Sequence, residues 1–132
     1  MEYNDLESVL TLGQREELES KGLWEDWLVK ATGLLDAAKR GNRRGDEPFF
    51  QACLQRLYDG SLEHGLSWQH LDNLHESMEE TLDGANYAVF EFLKRSQAGV
   101  LSLAQVQALT LAFDSMVDAW ENLNEYKDMV HV

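Results

Sequence analysis

The residues best placed to do chemistry are three histidines. His64, His70 and His75 fall within twelve positions, among Asp72, Glu76, Glu79 and Glu80. Imidazole and carboxylate are the ligands of zinc and di-iron centres. Asp72-x-x-His75 has the i, i+3 spacing that puts two such ligands on one face of a helix, as in carboxylate-bridged di-metal bundles. A centre of that kind needs a second motif on a facing helix. The fourth histidine, His131, is next to last in the sequence, and although Glu121 and Glu125 could add carboxylates, no matching Glu-x-x-His exists. The expectation is therefore no metal and no cofactor, with His70 on the surface and His75 hydrogen-bonded at the border of an apolar stripe.

Nucleophilic chemistry has as little support. The single cysteine, Cys53, sits in the apolar run Phe49-Phe50-Gln51-Ala52-Cys53-Leu54 and reads as a small buried hydrophobe rather than a reactive thiol. Being alone, it also excludes an intramolecular disulfide and a cysteine-based zinc site. No Gly-x-Ser-x-Gly occurs. Gly41 to Gly45 is glycine-rich but lacks the Lys-Ser or Lys-Thr that completes a phosphate cradle. No catalytic residue is assigned, and the chain is read as a non-enzyme. Arg44-Gly45-Asp46 spells an integrin-type tripeptide, which in a chain read as intracellular is chance.

The elements that would position these residues are helices. Pro48 is the only proline, isoleucine is absent, good helix formers dominate, and no stretch alternates with a period of two. A first helix is expected from about Asp5 to Lys21, capped by Asn4, with a bend at Gly13 and Gly22 at its C-terminus. A second runs from Leu23 to Arg40 with a stripe of Trp24, Trp27, Leu28, Ala31, Leu34, Leu35 and Ala38. A third opens at Asp46 or Glu47, with Pro48 in its first turn, and ends near Asp59, leaving Gly60 and Gly65 to bracket a turn. Ser67 is read as the cap of a long fourth helix that continues through Gly84 to about Ser96. Its stripe is Trp68, Leu71, Leu74, Met78, Leu82, Ala85, Val89 and Phe92. Ser102-Leu103-Ala104-Gln105 is a capping box for a fifth, with a 3-4 seam at Val106, Leu109, Phe113, Met116, Trp120 and Leu123. The fold class is thus all-α: a bundle of about five helices, in one domain over 1–132. It is built from shorter helices in 1–60 and an antiparallel hairpin over 67–130, roughly 40–45 Å long at 1.5 Å per residue.

Charge narrows the partners. The net charge of −13 opposes direct binding of nucleic acid or an anionic membrane, which both rest on Lys and Arg meeting phosphates. Residues 61–132 carry twelve acids against three bases, and acids recur at helical spacing along the fourth and fifth helices. Against that background Lys39, Arg40, Arg43 and Arg44 form one basic island, which either follows from the preference of cations for a helix C-terminus or is a contact surface. Met1-Glu2-Tyr3-Asn4-Asp5 has neither a basic nor an apolar leader region, and no run approaches the roughly 20 apolar residues of a membrane span. A cytoplasmic location is expected.

These readings converge on a small acidic regulatory protein that binds another protein, as an inhibitor, anti-activator or adaptor. In size, acidity and helicity the chain resembles small anti-activators, phage-encoded inhibitors and secretion or assembly adaptors, a likeness at the level of fold. The alternatives are an acidic nucleic-acid mimic that fills the basic groove of a DNA- or RNA-binding protein, and a structural or assembly subunit. Four tryptophans are a large supply for 132 residues, and Trp is enriched where proteins bind. The apolar arc of the second helix is wider than one buried stripe needs. The expected partner surface is therefore Trp24, Trp27 and Leu28, with Lys39, Arg40, Arg43 and Arg44 at the other end. The competing reading puts both indoles in the core. Self-association into a homodimer is also expected, because a thin hairpin has little interior of its own.

Overall fold

A computed structural model describes residues 6, 9–40 and 47–130. Among them the protein is all-α, with helices α1 (Leu12–Ser20), α2 (Trp24–Arg40), α3 (Glu47–His64), α4 (Asn73–Gln97) and α5 (Leu103–Val130), and no strand. A short 3₁₀ turn, Ser67–Gln69, lies between α3 and α4. The chain divides into two compact units, Met1–His70 and Leu71–Val132.

In the first unit α1 begins later than its sequence pattern suggested. Thr11 is the cap: its hydroxyl accepts from the Gln14 N–H at 3.1 Å, and the Gln14 side chain accepts from the Thr11 N–H at 2.9 Å. Gly13, expected to bend the helix, lies in its first turn, and Asn4 lies outside the described residues. The end of α1 is a Schellman turn. Gly22 takes φ 71°, its N–H donates to the Glu19 carbonyl, and the Leu23 N–H donates to the Leu18 carbonyl at 2.8 Å. Only glycine enters that left-handed region without steric cost. Leu18 and Leu23 are both buried, the apolar contact that accompanies this turn.

The core of this unit is built on α2. Trp27 and Ala31 have no exposed surface, and they cluster with Trp24, Leu35, Leu18 of α1, Leu6 and Leu10 before it, and Phe50, Leu54 and Tyr58 of α3. Helix α3 does not stop at Asp59. It runs through Gly60 to His64, because Phe50, Leu54, Tyr58 and Ser61 continue one buried face past the glycine. Glycine costs only about 1 kcal/mol in a helix interior, less than such a face returns on burial. The buried Ser61 hydroxyl donates to the Leu57 carbonyl one turn back, so no polar group is stranded there.

The second unit is a helical hairpin. Ser67 does not cap the long helix. Asp72 does, its carboxylate accepting the His75 N–H at 3.0 Å, and Trp68 and Leu71 therefore precede α4 and leave its stripe. As expected, α4 continues through Gly84 and α5 opens on a capping box. There the Gln105 N–H donates to the Ser102 hydroxyl at 3.1 Å and the Ser102 N–H to the Gln105 side chain at 2.8 Å. The connection spans residues 98–102, too short for anything but an antiparallel return. The pairings descend on one helix as they rise on the other: Val89 and Phe92 lie beside Leu109 and Phe113, and Leu82 and Ala85 beside Met116 and Trp120. The helices close tightly at one point: a Cβ on Gly84 would sit 3.0 Å from the Met116 sulfur. No described helix is long and apolar enough to cross a membrane.

Candidate functional site

Asp72 and His75 have the spacing of metal ligands on a helix, yet this pair performs a helix cap. The Asp72 carboxylate holds the backbone N–H of His75, and the His75 imidazole lies 2.9 Å from Glu79 on the solvent side of α4. His64, at the end of α3, lies 3.6 Å from its neighbour Glu63. Among the described residues no three His, Cys, Asp or Glu side chains come together as a ligand set. Cys53 is half-buried and free.

The tryptophan surface expected on the second helix lies inside the first unit. The indoles of Trp24 and Trp27 are stacked, their centroids 5.5 Å apart and their planes within 8°. Trp24 is 7% exposed and Trp27 fully buried, so neither presents a face to solvent, and Leu28 is half-buried against the same core. The physical reason is the position of α2, packed by both α1 and α3. A helix with neighbours on two sides buries a wider arc than one stripe. The Arg15 guanidinium lies over the outer ring at 4.6 Å from the Trp24 centroid, a cation–π contact. Lys39 and Arg40 are exposed at the far end of α2, roughly 24 Å along its axis at 1.5 Å per residue, so they share no surface with the indoles. Arg40 donates to the Asp36 carbonyl at 3.4 Å, as a cation at a helix C-terminus does. Arg43 and Arg44 lie outside the described residues.

Two further clusters in this unit are polar links between elements, and sequence pattern pointed to neither. Asp26 on α2 accepts from the Trp68 indole N–H at 3.1 Å and pairs with Lys30 at 2.8 Å, while the Lys30 ammonium also lies over the Trp68 ring. Trp68 thus ties the 3₁₀ turn back to α2. Tyr58 donates to Glu17 at 2.7 Å, joining α3 to α1. That hydrogen bond, with burial and the nearby charges of Glu17 and Asp59, pushes the phenol pKa up to about 12.

The hairpin carries the opposite kind of surface. No side chain of α4 or α5 is buried. The stripes meet along one seam, half-buried at Leu74, Met78, Ala85 and Ala88 on α4 and at Val106, Leu109, Met116 and Leu123 on α5. Beside the seam, on the side where Val89 and Val117 project, lies an apolar face. Leu82 is 50% exposed, Val89 40%, and Phe113 and Val117 37% each. Two shallow hollows follow one another along this face and share Phe113. One, of about 290 Å³, is lined by Ala88, Val89, Phe92, Leu109 and Thr110; the other, of about 450 Å³, by Leu82, Ala85, Met116, Val117 and Trp120. Their walls are mostly apolar, with Thr110 in the first and Thr81 and Asn86 in the second as the polar members. Leu82, Val89 and Phe113 were legible as members of helical stripes and Val117 was not, and periodicity could not say that nothing of the hairpin closes over them.

Carboxylates border this face on the α5 side. Asp114 stands three residues before Val117 and Glu121 four after it, spacings that place all three on adjoining turns of one side. Asp118, Glu125 and Asp128 continue the row, and all five are exposed. Some acids elsewhere are answered within their own helices, Glu19 by Arg15, Asp26 by Lys30 and Glu91 by Arg95. Among the described residues, none of the five on α5 takes part in an ion pair. The arrangement can hold an apolar object with cations along one edge. In comparisons with known proteins, no family model, curated protein or solved structure matches this chain.

Proposed function

We propose that the protein acts by binding another protein, as a regulatory inhibitor or adaptor, and that the apolar face of the C-terminal hairpin is the surface that binds. One observation carries this reading: two helices of 25 and 28 residues bury no side chain, although Leu82, Val89, Phe92, Phe113 and Val117 lie on a common face. Contiguous apolar surface of this kind marks interaction sites in water-soluble proteins, since leaving it wet costs about 25 cal/mol per Å². Glutamate at Val89 and Val117 should leave the fold intact, because both positions are already solvated, and should abolish binding. The test is affinity capture from the native host with the wild-type chain and with Val89→Glu/Val117→Glu. The reading requires a stoichiometric protein partner held by the wild type and lost from the variant. Equal capture by both would sink it.

The unpaired acid row favours a second reading, an acidic mimic that occupies a basic nucleic-acid-binding groove. Salt separates the two. A mimic's complex weakens steeply as ionic strength rises and survives Val89→Glu/Val117→Glu, whereas docking on the apolar face is lost in that variant and responds to salt only through its flank.

A further inference from the structure

We infer that the occupant of the hairpin face is an amphipathic helix of a partner protein, with lysines or arginines along the flank that meets α5. This rests on the reading of that face as a docking surface and specifies the chemistry of what docks. The length fits a helix. The two hollows are about six residues apart along α4, roughly 9 Å at 1.5 Å per residue, against roughly 10.5 Å between positions i and i+7 of a docked helix. Large apolar side chains at i and i+7 therefore reach one hollow each, while those at i+3 and i+4 ride over Phe113, the usual pattern of a helix lying in a groove.

The charge sets the flank. A helix seated on Val89 and Val117 passes beside Asp114, Asp118 and Glu121, which no cation of the described chain answers. A partner with basic flanks neutralises that row, whereas one with acidic flanks adds like charges at close range, which is a strong discriminator between partners. The same row opposes a second copy of this chain as occupant. Residues 71–132 hold eleven acids and three bases, so each hairpin carries a net charge of −8 and pairing two of them concentrates the charge of both.

The test uses the full-length chain and two synthetic helical peptides of about 18 residues. Both carry the same leucine spine at i, i+3, i+4 and i+7, one with lysine flanks and the other with glutamate flanks. Affinities are read by fluorescence anisotropy on labelled peptides. The lysine-flanked peptide should bind about tenfold or more tighter than the glutamate-flanked one. Val89→Glu/Val117→Glu should abolish its binding, and Asp114→Lys/Asp118→Lys/Glu121→Lys should reverse the preference. Circular dichroism on each variant confirms that the helices persist. Equal binding of both peptides, lost in Val89→Glu/Val117→Glu, overturns the charge rule and leaves the docking face standing. Binding that survives Val89→Glu/Val117→Glu is mere charge attraction and overturns the proposal. If neither peptide binds and sedimentation shows a dimer, the occupant is a second copy. If neither binds and the chain is monomeric, the docking reading itself fails.

Discussion

Trp27 has no surface in water, yet its indole N–H has no acceptor among the described residues. A stranded donor of that kind costs roughly 1–3 kcal/mol, which the packing of the ring against Trp24 must exceed. Two substitutions separate the terms. Trp27→Ala should destabilise the chain by roughly 3–5 kcal/mol in urea titration, the loss of a buried large ring. Trp27→Phe keeps an aromatic and removes the unpaired donor, so it should cost well under half as much. Equal losses would mean that the N–H is satisfied and that the indole is held for its polarity. Tyr58 gives a pH test. Its folded pKa, about 12, lies above the usual value near 10, so the Glu17 hydrogen bond stabilises the neutral phenol. That contribution is fully present below pH 10 and is lost as pH rises through 12. Stability of the wild type should fall more steeply over this window than that of Tyr58→Phe; parallel curves would remove the role assigned to the bond.

Helix ends show where sequence reasoning holds and where it fails. The C-terminal signal at Gly22 and the capping box at Ser102 were legible because each is a local bond pattern spelled in adjacent residues. The start of α4 was misplaced because Ser67 and Asp72 are both residue types that cap, and one sequence does not rank them; α1 begins only after its cap at Thr11, later than the apolar pattern suggested. The end of α3 was misplaced by weighing Gly60 as a breaker when the buried face at Tyr58 and Ser61 outweighs it. The wide apolar arc of α2 was legible, but its cause was not, since a helix with two neighbours and a helix with a partner surface look alike in one sequence. The continuity of α4 through Gly84 has its own consequence. Gly84→Val would press methyls into the Met116 sulfur and should cost about 1–3 kcal/mol. Met116→Ala in the same chain should recover part of that loss. A double-mutant cycle with no coupling would show that the two helices do not meet there.

At the scale of the whole molecule, the two units differ in how they hold themselves together. Unit Met1–His70 has a core of fully buried side chains, whereas unit Leu71–Val132 has a seam of half-buried ones. Local stability follows buried apolar contact, so the hairpin should open at a lower free energy than α2 and α3 unless something covers its face. Amide hydrogen exchange on the free chain, followed by mass spectrometry, measures this directly. Exchange should be fast through α4 and α5, slow around Trp27, Ala31 and Leu54, and strongly slowed over residues 82–117 when the lysine-flanked helix is added. Protection of α4 and α5 in the free chain equal to that of α2, unchanged by the helix, would contradict it.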